Sequence, residues 1–201
     1  MQHLPKLIQV WERGQAIILD TETTGTGFLS QIVSIAGVYR DGGVAFNSLI
    51  RPTLLIPKEA TVVHGITNEA VAQAPRWPQF VPELIEALRG REVISYNAEF
   101  EVQMLKQSFL AYDMLDTYRE MVDVLARPYA TCAMQAYAEF WGEWSIYHHK
   151  YRWQSLSEAC HQQAVQVSEA HDALADCRMT RLLIEHIVPL AKQKLDRETA
   201  R

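Results

Sequence analysis

Apolar residues gather into short β-branched runs early in the chain. Residues 15–21, 31–39 and 44–50 are rich in Ile, Val and Phe, which predicts three strands, and Asp41-Gly42-Gly43 between the last two is a hairpin signal. Ahead of them Leu4, Leu7, Ile8 and Trp11 recur at helical spacing, so residues 1–14 predict a short helix docked on the domain. From Leu55 to Pro78 the pattern is broken by prolines and reads as an irregular crossing with one short helix near 67–73. Beyond it the spacing predicts a helix over 78–89, a strand over 92–96 and a helix over 98–111 with Asn97 at its N-cap. A short strand near 120–125 and helices at about 131–142, 155–164 and 171–188 follow, and the last residues, 191–201, read as a charged tail that frays. The order β-β-β-α-β-α-β-α-α-α describes a mixed α/β domain in which an antiparallel meander leads into crossover units.

Composition narrows this picture. The 201 residues are 48% hydrophobic and 21% charged, as expected of one globular domain with a sizeable core. A net charge of −5 excludes a general basic surface for nucleic acid, but leaves room for a small local site. Cys132, Cys160 and Cys177 are widely spaced and form no disulfide framework; with no signal-peptide core and no membrane-length apolar run, they predict a soluble, cytoplasmic protein with no membrane partner.

The stretch IILDTETTG, residues 17–25, carries the chemistry. Side chains two apart on a strand share a face, so Asp20 and Glu22 project together. Two carboxylates on a partly buried face repel and are costly to desolvate without a positive partner. No Lys or Arg lies between Arg13 and Arg40, and such oxygen ligands suit Mg²⁺ or Mn²⁺. A strand end whose acids simply reach water is the alternative. Further along, AHDALADCRMTRLL (170–183) sets His171 at the entrance of a helix and Asp176 one and a half turns in. Cys160, His161 and Cys177 match no common zinc spacing.

Taken together, DTETTG at 20–25, YNAEFE at 96–101 and HDALAD at 171–176 resemble the three motifs of the DnaQ-like, DEDDh-type 3′→5′ exonucleases of the RNase H-like superfamily. VHGIT at 63–67 and RWQSLSEA at 152–159 resemble further family phrases, and the similarity spans roughly residues 15–187. It implies an α/β RNase H-like exonuclease fold, a mixed five-stranded sheet flanked by helices, with the exonuclease domain over 15–190.

The resemblance also implies roles. Asp20, Glu22 and Asp176 would bind two divalent ions, Mg²⁺ or Mn²⁺, with Asp20 bridging both, and His171 would be the general base. Thr23, Thr24, Gly25, Glu59 and His64 match positions that contact the terminal nucleotide. The middle motif usually ends in aspartate, whereas here it ends in Glu101, which would act on the metals through water; Glu99 and Glu101 lie about 200° apart on a helix, so only one can face the site. The implied activity is removal of nucleoside 5′-monophosphates from the 3′ end of single-stranded nucleic acid, DNA favoured over RNA. An RNA-trimming exoribonuclease is one alternative and a proofreading polymerase subunit another, the stand-alone enzyme being favoured. The stretch YHHKYRW (147–153) interleaves aromatic and basic residues, either to stack bases or to pack a loop on the core.

Overall fold

The computed structural model describes residues 2–124, 130–166 and 171–199. Three strands open the sheet: β1 (Ala16–Thr23), β2 (Ile32–Tyr39) and β3 (Val44–Leu49). They are joined by β4 (Glu92–Ser95) and β5 (Thr131–Cys132) in the order β3-β2-β1-β4-β5. β1 pairs antiparallel with β2 and parallel with β4, so it lies at the centre of a mixed sheet. A central strand is covered on both faces, which explains why Ile17, Ile18 and Leu19 form an unbroken apolar run.

Alternation along β1 divides the core. Ala16 and Ile18 face a cluster built with α1 (His3–Glu12), α6 (Ala133–Trp141), α7 (Leu156–Gln162) and α8 (Ala173–Thr199). Ile17 and Leu19 face the other cluster, under α3 (Trp77–Leu88), α4 (Ala98–Leu110) and α5 (Leu115–Val124). Asp20 and Glu22 therefore inherit the α8 side by parity, and Thr21 the α4 side. On β2, Gly37 leaves room for the Phe46 ring, since a Cβ there would sit 2.6 Å from it.

Two predicted elements are replaced. Residues 67–73 form turns, and the helix of this crossing is α2 (Lys58–His64), which starts after Pro57 and ends at Gly65 in the left-handed conformation. The strand expected near 120–125 is instead the end of α5 as far as Val124, residue 125 lying outside the described residues; Tyr118 and Met121, three apart, turn one helical face onto the core. The fifth strand is the two-residue β5. Helix α8 also runs on to Thr199 through the stretch read as a fraying tail. Among the described residues no helix is long and apolar enough to cross a membrane.

α1 lays Leu4, Leu7, Ile8, Val10 and Trp11 into the core. Its N-terminus is held by Glu139 of α6, whose carboxylate accepts the backbone N–H groups of Gln2, His3 and Leu4 at 2.9–3.3 Å. Burial pushes the Glu139 carboxyl up while these donors pull it down, and the donors prevail. Three otherwise orphaned donors depend on one side chain. Glu139→Ala is expected to cost about 1–3 kcal/mol, the range for stranding buried hydrogen-bonding groups, as a lower urea midpoint at unchanged slope.

Candidate active site and family

At the carboxyl end of β1, carboxylate oxygens of Asp20, Glu22 and Asp176 all lie within 4.8 Å of one another. Strand alternation supplies the first two. Asp176 comes from the first turn of α8, where Asp172 caps the helix by accepting the Ala175 N–H at 2.8 Å. The helix N-terminus favours a carboxylate there. The small Cys177 lets α8 approach the sheet, its thiol donating to the Ile18 and Ala36 carbonyls at 3.5 and 3.4 Å. A register shift between Glu22 and Thr23 marks a bulge where the strand leaves the sheet.

Glu101 completes the group of acids from the other face. It is 4% exposed in the first turn of α4, while Glu99 points to solvent. Its Oε2 accepts a hydrogen bond from Thr21 Oγ1 at 2.7 Å, so Thr21 anchors the longer side chain. Asn97 occupies the N-cap position without a side-chain cap bond.

Around Asp20 the charges of the described residues are one-signed. Burial, then Glu101, Asp176, Glu22 and Asp172, raise the Asp20 carboxyl well above the usual range. Burial, then Asp176 and Asp172, push Glu22 up to about 7, and burial pushes Glu101 up to about 8 against the Thr21 hydrogen bond. Burial raises Asp176 as well, opposed by the His171 backbone N–H and by the charge of its ring. Asp176 Oδ1 is buried with no hydrogen-bond partner among the described residues. A desolvated carboxylate cluster with an orphaned acceptor and only acids acting on Asp20 fits hard divalent cations.

His171 stands exposed at the mouth, with φ +69, a left-handed conformation that costs a non-glycine residue about 1 kcal/mol or more. With Glu22, Ser34, Asn47, His64 and Asp172 it lines a polar cleft of about 270 Å³. His64 is fixed: Ile66 N–H donates to Nδ1 at 3.0 Å, so Nε2 carries the proton toward the Thr23 carbonyl at 3.2 Å. Burial lowers its pKa, keeping it neutral. Thr23 Oγ1 donates to the Gly25 carbonyl and Thr24 Oγ1 accepts the Gln31 N–H, so both hydroxyls shape the loop. Gly25 has φ +146, with Ser30 Oγ 3.3 Å from where a Cβ would stand. Glu59 is exposed on α2 and not among the cleft residues; five residues from His64, it points about 140° away. Ser34 and Asn47 were missed, although Ser34 interrupts an apolar strand and pairs with Glu22.

The exonuclease family model matches residues 17–183 of the chain. The chain belongs to the exonuclease family. It is 35% identical over 176 residues to the uncharacterized exonuclease CP81 of Escherichia phage 186, covering 87% of this chain and 89% of that one. It is 31% identical over 124 residues to the DNA polymerase III epsilon subunit of Escherichia coli K12, covering 55% of this chain and 51% of the subunit. It is a DnaQ-like 3′→5′ exonuclease of the RNase H-like superfamily. The fold is similar to that of E. coli exonuclease I in complex with a dA16 oligonucleotide, with a TM-score of 0.68 at 17% identity over 86% of this chain and 40% of that one.

Two outcomes are expected of this exonuclease. Unfolded glutamates lose their protons near 4.5, whereas Glu22 and Glu101 hold theirs to about 7 and about 8. Their contribution is therefore complete below about pH 4.5 and is lost as pH rises through 7–8. Chelated protein should melt lower at pH 8.5 than at pH 6 by calorimetry, and Asp20→Asn should narrow the gap. Separately, Thr21→Val and Glu101→Gln should each lower nuclease activity, the latter at least about tenfold, as outer-shell changes do, while Glu101→Asp retains it and Glu99→Ala does little. Damage from Glu99→Ala alone would contradict the orientation of α4.

Proposed function

We propose that this exonuclease removes nucleoside 5′-monophosphates from the 3′ ends of single-stranded or frayed DNA, using Mg²⁺ or Mn²⁺. The observation that carries the reading is the convergence of Asp20, Glu22 and Asp176 with, among the described residues, an orphaned Asp176 oxygen and no opposing cation acting on Asp20. In this reading Asp20, Glu22 and Asp176 would hold the ions, with Glu101 supporting them from the other face of β1. Bound divalent ions would supply charge stabilisation at the scissile phosphate and a lowered pKa for the attacking water.

The remaining work falls to side chains. His171 takes the proton of the attacking water on a ring nitrogen, a role that imidazole fills more often than any other side chain. His64 is unsuited to it, because Nδ1 is already occupied by the Ile66 N–H and Nε2 already holds its proton. His64 instead ties α2 to the end of β1 and shapes the cleft for the terminal nucleotide. Gly25 and the backbone of Thr23 and Thr24 form the adjoining wall, close to the substrate because no side chain intervenes at Gly25. Exonuclease I, a fold relative, is bound to dA16, which supports a single-stranded DNA substrate. Similarity to the polymerase III epsilon subunit favours a second reading, a proofreading role beside a polymerase.

Purified protein incubated with 5′-labelled single-stranded DNA, duplex DNA and RNA should shorten the single-stranded DNA from its 3′ end with Mg²⁺ or Mn²⁺, and do nothing in chelator. Asp20→Asn or Asp176→Asn should abolish this without loss of fold. His171→Ala should lower the rate about 10²–10⁴-fold with affinity little changed, the worth of a positioned general base. Activity surviving in Asp20→Asn at any metal concentration would overturn the assignment.

A further inference from the structure

The aromatic and basic stretch at 144–153 plays no part in the site described above, yet it is folded. Strands β6 (Trp144–Ser145) and β7 (Lys150–Tyr151) pair antiparallel, and the Trp144 and Tyr151 rings meet edge to face at 5.1 Å. The Arg152 N–H donates to the Glu143 carbonyl at 2.8 Å and closes the base of the hairpin. Tyr147 at the tip is 94% exposed, and Trp153 and Trp144 are 57% and 51% exposed. Leaving such large rings in water forgoes much of what burial would contribute to folding, so packing does not account for them.

We infer that this hairpin is a binding platform for the single-stranded DNA upstream of the 3′ end, stacking bases on Tyr147 and Trp153 and holding phosphate with Lys150. The inference rests on the nuclease reading above. Charge supports it: residues 144–154 contain no acid in a chain of net charge −5. Arg152 is neutralised by Glu143 at 2.9 Å, whereas no ion pair is seen for Lys150 among the described residues. With one free cation, attraction must come chiefly from stacking, which every base can offer. Position supports it too. His148, Lys150, Arg152, Trp153 and Gln154 line a cleft of about 390 Å³ together with Glu158 and with Glu143, whose charge Arg152 meets, and the Gln154 carbonyl accepts the Tyr96 hydroxyl at 2.8 Å. Tyr96 directly precedes Asn97, where the helix bearing Glu101 begins. The hairpin is thus tied, through Gln154, to the residue that joins β4 to the helix bearing Glu101. A protein partner fits less well, because about ten residues fall short of the roughly 20–30 per side of a standard interface.

Tyr147→Ala, Trp153→Ala and Lys150→Ala would be compared with the parent protein in two assays. One is anisotropy of labelled dT20 in chelator, which needs no turnover. The other is hydrolysis of dT20 and of the p-nitrophenyl ester of thymidine 5′-monophosphate, which fills only the catalytic end. Tyr147→Ala should weaken dT20 binding and raise KM for dT20 about tenfold, within the range for losing one stacked base, with kcat and ester hydrolysis unchanged. Lys150→Ala should weaken binding less and flatten its salt dependence. Unchanged dT20 affinity in all three variants would overturn the inference, as would equal losses on dT20 and the ester. So would a change confined to self-association in sedimentation, which would make the hairpin a contact between copies. If the parent protein hydrolysed neither substrate, the nuclease reading would fail instead.

Discussion

Four carboxylates at one end of β1, stripped of water and repelling one another, are the constraint on which the rest of the structure depends. Asp20, Glu22, Glu101 and Asp176 all have their carboxyl groups raised, chiefly by burial. Nothing in hydrophobic packing asks for this, so the scaffold has to impose it. A central strand with helices on both faces does so: alternation commits two acids to the α8 side, and α8 and α4 each deliver another from a first turn. Each helix N-terminus offers a partial positive charge to the acid it carries. The residual repulsion is what gives a divalent cation its purchase, since a site of neutral oxygens would bind it less tightly.

The two histidines beside this cluster differ for a physical reason. His64 lies within hydrogen-bond reach of Ile66 and Thr23, and both ring nitrogens are spoken for. His171 is exposed, in a left-handed backbone conformation that tertiary structure must enforce. It lines the same cleft as Glu22 and Asp172, which places it beside the carboxylates. A ring at the mouth of the cleft can exchange protons with water, as a base that turns over must.

Part of this was legible in the sequence because the motifs are short, and the resemblance to the DnaQ-like motifs, rather than any period, implied the roles of Asp176 and His171. Asp20 and Glu22 share a face by the two-residue repeat, and Asp176 follows the helix start by little more than a turn. What was not legible depends on elements meeting in space. The Thr21–Glu101 hydrogen bond joins residues 80 apart, and no local pattern announces it. The true β5 is two residues long, too short for any period, while the valine-rich run Met121-Val122-Asp123-Val124 imitates a strand inside a helix. In α2 the run Thr61-Val62-Val63 is β-branched, yet Pro57 before it and Gly65 after it define a helix. Glu59 matched a motif by spacing, but helical geometry turns it away from His64.

Thr21 also bears on the one departure from the family pattern. An aspartate at position 101 would end a methylene short of the present carboxylate, whose Oε2 reaches Thr21 Oγ1 at 2.7 Å. With that hydrogen bond the extra length of Glu101 is held against the opposite face of β1 from Asp20, rather than left to search among rotamers. The anchor also spreads the repulsion, because an acid tied to the far face stands outside the trio that lies within 4.8 Å. The longer acid and the threonine therefore function as a pair. Thr21→Val, or loss of the carboxylate at Glu101, disturbs the placement of charge around Asp20, whereas shortening the acid to aspartate sacrifices a hydrogen bond and keeps the charge.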